Sequence, residues 1–362
     1  VRQILLVTGD AGSVTDTIGR PVRDLRISVT DRCNFRCTYC MPKEVFHRDF
    51  QYLARSALLD FDEIERVARS FARHGVTKLR LTGGEPLLRR GLEDLIARLA
   101  AIPGIDDLAM TTNGALLERK ASGLAAAGLR RVTVSLDSLD DAVFMAMNDV
   151  GFSVHQVLDG IAAAAEAGLG PIKINMVVKR GVNDTSVVDM ARHFKDAGHT
   201  LRFIEYMDVG STNGWRLDDV VTAASIVDVL DREFGVEPIE PSYPGEVATR
   251  WRYRDGTGEV GVIDSVTKPF CGNCTRARLS AEGVLYTCLF AAAGTDLREL
   301  VRRSHDGRTV DEALDERIHK LWSDRTDRYS ETRSSFTDGL TAGLSVRPAA
   351  RPAKVEMSHI GG

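Results

Sequence analysis

The chain lacks most of the features that would place its chemistry at a glance. Its 362 residues contain no apolar run of the roughly eighteen residues a membrane-spanning helix needs. Positive charge is not in excess. The 47 Lys and Arg stand against 51 Asp and Glu, a formal net charge of −4, and the pI is about 6.1. A general nucleic-acid binder would show a basic footprint, so neither nucleic acid nor membrane is an expected partner. The phosphate cradle G-x-x-x-x-G-K-[ST] is missing, so a nucleotide would have to be held by side-chain charge. No Ser-His-Asp or H-E-x-x-H arrangement stands out, and the eight histidines are scattered. No side chain is therefore assigned as a catalytic acid, base or nucleophile. The start carries no signal-peptide pattern, since Gln3 to Val7 is a short apolar run and Gly9 to Asp16 is polar. A cytoplasmic location is the expectation. Cysteine is scarce at six residues, and in that compartment close cysteine triplets point to metal rather than to disulfides.

What is present is an ordinary globular composition, 43% hydrophobic and 27% charged, with those six cysteines in two groups of three. Cys33, Cys37 and Cys40 read C-x3-C-x2-C; Cys271, Cys274 and Cys288 read C-x2-C-x13-C. Three thiolates can hold three corners of a four-iron cluster and leave the fourth iron open to a ligand. A structural zinc site wants four ligands, commonly two C-x2-C pairs. The first group offers no nearby fourth, because His47 lies beyond Met41-Pro42, and it reads as iron–sulfur. The second group is less specific, and a zinc knob with one His or Asp ligand remains open there. Arg276 and Arg278 flank Cys274 and would suit an anionic ligand that also touches the metal.

From Asp24 onward short β-like runs alternate with helical ones. The expected strands are Leu25 to Thr30, Lys78 to Thr82, Asp107 to Thr111, Arg131 to Leu136, Ile172 to Val178 and Leu201 to Glu205. Between them, Phe61, Ile64, Ala68 and Phe71 repeat at helical spacing, as do stretches within 92–99, 116–127, 157–167 and 186–197. Regular alternation implies a parallel sheet, barrel-like or doubly wound. Pro238, Pro241, Pro244 and Gly245 interrupt the rhythm. The chain divides into an extension over 1–19, a β/α region over 20–235, an α+β region over 236–345 with the second cysteine group, and a flexible tail over 346–362 ending in Gly361-Gly362.

Cysteines just after the first strand occupy the end of a parallel sheet where such folds place active sites. Gly83-Gly84-Glu85-Pro86 closes the second strand, and adjacent glycines permit close backbone approach to a ligand. Arg26, Lys78, Arg80, Lys173 and Arg202 recur on successive strands, which favours a cavity for a phosphorylated small molecule.

C-x3-C-x2-C after a strand, followed by GGEP, resembles the radical S-adenosylmethionine superfamily. LRISVTDRCNFRCTYCMP over 25–42, TGGEPLLRR over 82–90, TTNG over 111–114, FIEYMDVG over 203–210, FCGNCTRARL over 270–279 and the C-terminal Gly-Gly resemble its GTP 3′,8-cyclase family, which opens molybdenum cofactor biosynthesis. The resemblance implies a partial (β/α)6 TIM-type barrel and two [4Fe-4S] clusters, on Cys33, Cys37 and Cys40 and on Cys271, Cys274 and Cys288. It implies S-adenosylmethionine held by Tyr39, Gly84, Ser135 and Met207, and GTP held by Arg26, Arg80, Thr111, Lys173, Arg276 and Arg278. Gly361 and Gly362 would reach into the cavity. A 5′-deoxyadenosyl radical would take hydrogen from ribose C3′, and C3′ would then attack guanine C8. An external one-electron donor is implied, as is a downstream cyclic pyranopterin monophosphate synthase acting on the product; a homodimer is left open. Asn148 to Phe152 departs from the more basic loop expected of the family. The alternatives are a radical enzyme acting on a peptide through an auxiliary cluster, and a non-catalytic iron–sulfur regulator.

Overall fold

The structure is a computed structural model that describes residues 13–302, 309–333 and 354–361. Six parallel strands follow one another in chain order: β1 (Asp24–Ser28), β2 (Lys78–Thr82), β3 (Asp107–Thr112), β4 (Arg131–Ser135), β5 (Lys173–Val178) and β6 (Thr200–Glu205). Helices α1 (Phe61–Arg73), α2 (Leu92–Ala100), α3 (Leu117–Ala126), α4 (Asp141–Asn148), α5 (Val154–Glu166), α6 (Val187–Lys195) and α7 (Ala223–Phe234) alternate with them. The expected helix stripe is the reason α1 packs as it does. Ile64, Ala68 and Phe71 are buried, and Asp60 opens the helix with a capping box to Glu63.

Among the described residues, the chain from 236 onward does not build a separate sheet. It adds β7 (Val236–Ile239), β8 (Thr249–Tyr253), β9 (Glu259–Ile263), β10 (Arg276–Leu279), β11 (Val284–Tyr286) and β12 (Thr295–Asp296) to the same one. The strand order is β12-β11-β10-β1-β2-β3-β4-β5-β6-β9-β8-β7. β10 lies parallel to β1 and β9 parallel to β6. The six-strand partial barrel is thus flanked on both sides by strands from the C-terminal α+β region. Helices Arg298–Arg302 and Val310–Ser323 return to α1, where Asp315 accepts from Arg73 Nε at 2.8 Å.

Two expectations of loose ends are corrected where residues are described. Within the supposed extension, Val14 and Asp16 are buried, and Thr15 bridges to Pro21; residues 1–12 lie outside the described residues. At the far end, residues 354–361 are docked rather than flexible. Glu356 accepts from Ser211 N at 3.0 Å and Thr212 Oγ1 at 2.9 Å, and Val355 N donates to Ala291 O. The reason is polar: Lys354 and Glu356 satisfy acceptors and donors of the loop after β6, which a polar, Pro-containing sequence does not advertise. Residues 346–353 and Gly362 lie outside the described residues.

Candidate functional site

One cavity reaches from Tyr39 of the first cysteine loop to all three cysteines of the second group. The first follows the carboxyl end of β1. In the second, Cys271 and Cys274 immediately precede β10, which is parallel to β1, and Cys288 follows β11; Arg276 stands beside Asp24 at the opening of β10 and β1. A cavity of about 700 Å3 connects the two ends. Tyr39 and Met207 line it beyond the strand ends, and Cys271, Cys274 and Cys288 line it at the other.

The first loop is built by backbone contacts with the GGEP turn. Gly84 N donates to Thr30 O and Glu85 N to Arg32 O, both at 2.8 Å. A Cβ on Gly84 would run into the Arg32 carbonyl, which is why the turn is glycine. Cys40 N and Met41 N close onto Cys37 O. All six cysteines are free of disulfides. Burial, with the Glu85 charge second, pushes the Cys33 thiol up to about 12. Burial, then the neighbouring cysteines, also push Cys37 well up. Buried thiols that raise one another in this way are in search of a cation, which iron supplies. Among the described residues, no three His, Cys, Asp or Glu side chains converge on a point suited to a single metal ion. The fit to a cluster rests on the donor set, three thiols with no added nitrogen or oxygen ligand.

The second loop is electrostatically different. Burial would raise Cys274, but Arg276 and Arg325 outweigh it and bring the thiol down to about 6. Arg276 Nη2 stands 3.4 Å from the Cys274 sulfur, and Arg325 Nη1 donates to Cys274 O at 2.7 Å. Arg20, fully buried, donates to Cys271 O at 2.8 Å and pairs with Asp16. These braces were not legible in the sequence: Arg20 and Arg325 lie far from the cysteines and follow no motif. Cys288, whose sulfur accepts from Phe290 N at 3.4 Å, is pushed up to about 11 by burial and Asp327.

Between the ends the strands set arginines side by side. In register, Arg278 of β10 neighbours Arg26 of β1, which neighbours Arg80 of β2. Arg80 Nη1 donates to Thr111 Oγ1 at 3.0 Å and Thr133 Oγ1 at 3.1 Å. Arg26 Nε and Arg80 Nε are buried with no partner. Burial, then Arg278 and Arg80, lower Arg26 well below its ordinary value. Burial and Arg202 bring Lys173 down to about 8, and burial and Arg80 bring Arg202 down to about 9. A guanidinium remains charged under such conditions, so the shifts report crowded positive charge in which cations outweigh the nearby carboxylates. Arg202 and Asn175 both line the cavity and bond to each other at 3.0 Å.

The expected residues are therefore only partly brought together. Arg26, Arg80, Thr111, Lys173, Arg276 and Arg278 line the cavity, as do Tyr39 and Met207. Cys33, Cys37, Cys40, Gly84 and Ser135 are not among the residues that line it. Ser135 ends β4 beside Asn175. Arg278 Nη1 donates to Gly361 O, and a Cβ on Gly361 would meet Thr82, so Gly361 is held against the barrel. The Tyr39 hydroxyl, expected as a cofactor contact, donates to Asp137 at 2.8 Å. Burial raises Asp137 to about 6. Glu85 was also missed as a working residue. Fully buried, it accepts from Thr112 Oγ1, Asn113 N and Leu87 N at 2.7–3.0 Å, tying GGEP to TTNG. In the loop 148–152, Asn148 is buried and bonded to Val150 N and Phe152, and its carbonyl accepts from Arg36 N at 2.9 Å. That loop thereby supports the first cysteine loop through its backbone.

An incomplete β/α barrel with a three-cysteine loop at the strand ends is the architecture of a radical S-adenosylmethionine protein, and the family profile "Radical SAM superfamily" matches residues 27–194. "Molybdenum Cofactor Synthesis C" matches residues 199–331. Three similar curated proteins all carry the name GTP 3′,8-cyclase. That of Acidothermus cellulolyticus is 55% identical over 96% of this chain and 99% of its own. That of Xanthomonas campestris pv. campestris is 50% identical over 97% and 98%, and that of Staphylococcus aureus 46% over 96% and 99%. This chain belongs to the GTP 3′,8-cyclase family. Among solved structures, Streptococcus suis SuiB bound to S-adenosylmethionine matches with a TM-score of 0.56 at 14% identity, covering 82% of this chain and 68% of that one; the likeness is one of fold. None of the described helices is long and apolar enough to cross a membrane.

Proposed function

We propose that the cavity converts GTP to (8S)-3′,8-cyclo-7,8-dihydroguanosine 5′-triphosphate, a lyase reaction and the first step of molybdenum cofactor biosynthesis. One observation carries this reading: a single cavity joins two three-cysteine loops, and between them the buried Nε atoms of Arg26 and Arg80 have no hydrogen-bond partner among the described residues. The first loop would hold a [4Fe-4S] cluster and S-adenosylmethionine, and the second loop a second [4Fe-4S] cluster. When bound, the first cluster with its S-adenosylmethionine supplies one-electron cleavage of a sulfonium and hence a carbon radical. An external one-electron donor completes the electron balance, and the product passes to a cyclic pyranopterin monophosphate synthase.

The chain's own residues position and exclude. Tyr39, braced by Asp137, and Met207 frame the cofactor end of the cavity, and Gly84 and Ser135 would hold the cofactor from the turns beside it. Arg26, Arg80, Lys173, Arg276 and Arg278 offer the triphosphate charge-assisted hydrogen bonds, and Thr111 keeps Arg80 aimed. Residues 354–361 cover the side of the cavity where Met357 lines it, keeping water and stray hydrogen donors from the reacting carbon. The deciding assay is anaerobic: reconstituted protein, reductant, S-adenosylmethionine and GTP. The expected yield is 5′-deoxyadenosine and a cyclised GTP. Deoxyadenosine formed with GTP unchanged would overturn the substrate assignment.

A further inference from the structure

The loop joining β7 to β8, residues 240–248, has no part in the reading above, yet it walls one end of the cavity. Its position follows from two contacts. Lys78 Nζ, at the opening of β2, lies 5.5 Å from the centre of the Tyr243 ring. Gly245, at φ +83°, turns against the second cysteine loop, where a Cβ would stand 3.0 Å from the Asn273 carbonyl oxygen. The loop therefore touches a cation of the phosphate end and the second cysteine loop at once.

Its carboxylate differs from the others at that end. Asp24 is committed to Lys78 at 3.3 Å, Asp107 to Arg131 at 2.8 Å and Glu259 to Arg250 at 2.5 Å. Glu246 accepts instead from the backbone of its own loop, Ser242 N at 2.7 Å. Its charge still acts on Lys173 and Arg202 across the cavity. Releasing it breaks one local hydrogen bond and no salt bridge among the described residues.

We propose that this loop is the gate at the phosphate end, with Glu246 as a placeholder anion that the substrate's terminal phosphate displaces. Before the nucleotide enters, the carboxylate offsets the positive field of Lys173 and Arg202. A triphosphate supplies more negative charge at the same place and repels Glu246, while Tyr243 keeps the loop anchored over Lys78. The gate makes the site selective for phosphate-chain length. It rests on the GTP reading above.

The test uses anaerobically reconstituted protein, wild type and Glu246→Gln, with binding of GTP, GDP, GMP and guanosine measured by equilibrium dialysis. Removing one like charge several ångströms from a phosphate in a partly screened cavity is expected to tighten GTP roughly tenfold. The gain should shrink through GDP to GMP and vanish for guanosine. Independently, hydrogen exchange on wild-type protein should show residues 240–248 changing protection with GTP but not with GMP. Wild type that binds GTP, with Glu246→Gln binding it equally or more weakly, overturns the gate and leaves the substrate reading intact; so does unchanged exchange at 240–248. Wild type that binds no GTP overturns both.

Discussion

The two cysteine loops hold the same number of thiols in opposite electrostatic settings. Around the first, the charged groups other than cysteine with the strongest pull on the loop are acids: Glu85 at Cys33, ahead of Arg36, and Asp137 at Cys37 and Tyr39. Around the second they are guanidiniums, Arg276 and Arg325, which bring Cys274 down to about 6 while Cys33 stands near 12. Equal donor sets in unequal fields suit unequal guests. The acidic end favours a cationic partner, such as the sulfonium and ammonium of S-adenosylmethionine. The basic end favours an anionic one, and the ladder Arg278, Arg26, Arg80 extends that field along the cavity. The sheet produces this polarity. It places the first loop after β1 and the second before β10, so one cavity receives its two chemistries from opposite strand ends.

The largest test of the comparison is loss of one loop at a time. Cys37→Ala should bring 5′-deoxyadenosine formation to background. Cys274→Ala should abolish GTP cyclisation while part of the cofactor cleavage survives. If Cys274→Ala also eliminates cleavage, the loops do not have separate roles. Iron content sharpens the point. Reconstituted wild type should carry about eight irons per chain and each variant about four, as expected for two four-iron clusters. About four in the wild type would leave one loop without a cluster.

A smaller effect lies between the loops. Arg26 is half-buried, its Nε is buried with no hydrogen-bond partner among the described residues, and its nearest charged neighbours include Arg278 and Arg80. Arg26→Met should weaken GTP binding roughly ten- to hundredfold, the value of one charge-assisted contact. It should also raise the melting temperature of the nucleotide-free protein, because an uncompensated buried charge is removed. Weaker binding without the gain in stability would mean that Arg26 has a structural partner.

Much of this was legible in residue order. The six strands of the barrel and the stripe on α1 follow from period alone, because each element buries one face along a continuous stretch of chain. The six cysteines and the cavity arginines announced themselves by spacing and by recurrence on strands. What did not show was anything assembled across the fold. Arg20 and Arg325 brace the second loop from 251 and 51 residues away, and no local pattern marks them. Glu85 was visible only as part of a glycine turn, although its carboxylate joins two motifs. Lys354 to Gly361 read as a loose end because its partners, Asp208, Ser211 and Thr212, are supplied by another loop.

The smallest expected effect concerns the acidic end. Glu85 is held near 7 because burial raises it, against three hydrogen bonds that lower it. Its ordinary value is 4.5. Between those two values the folded protein keeps a proton that the unfolded chain has released. Stability from this group is therefore full below about 4.5, falls as pH rises to about 7, and is flat above, for a total of about 3 kcal/mol at most. Glu85→Gln cannot ionise, so the difference in melting temperature between wild type and variant should shift in the variant's favour from pH 5 to pH 7 and then level off. The glutamine amide accepts with one oxygen only, where the carboxylate accepted from Thr112, Asn113 and Leu87 with two. At pH 5 the variant should consequently be the less stable protein, and its first loop should take up iron more slowly. A difference independent of pH would show that Glu85 ionises in the folded protein as freely as in water, and that the acidic character of the first loop does not come from this carboxyl.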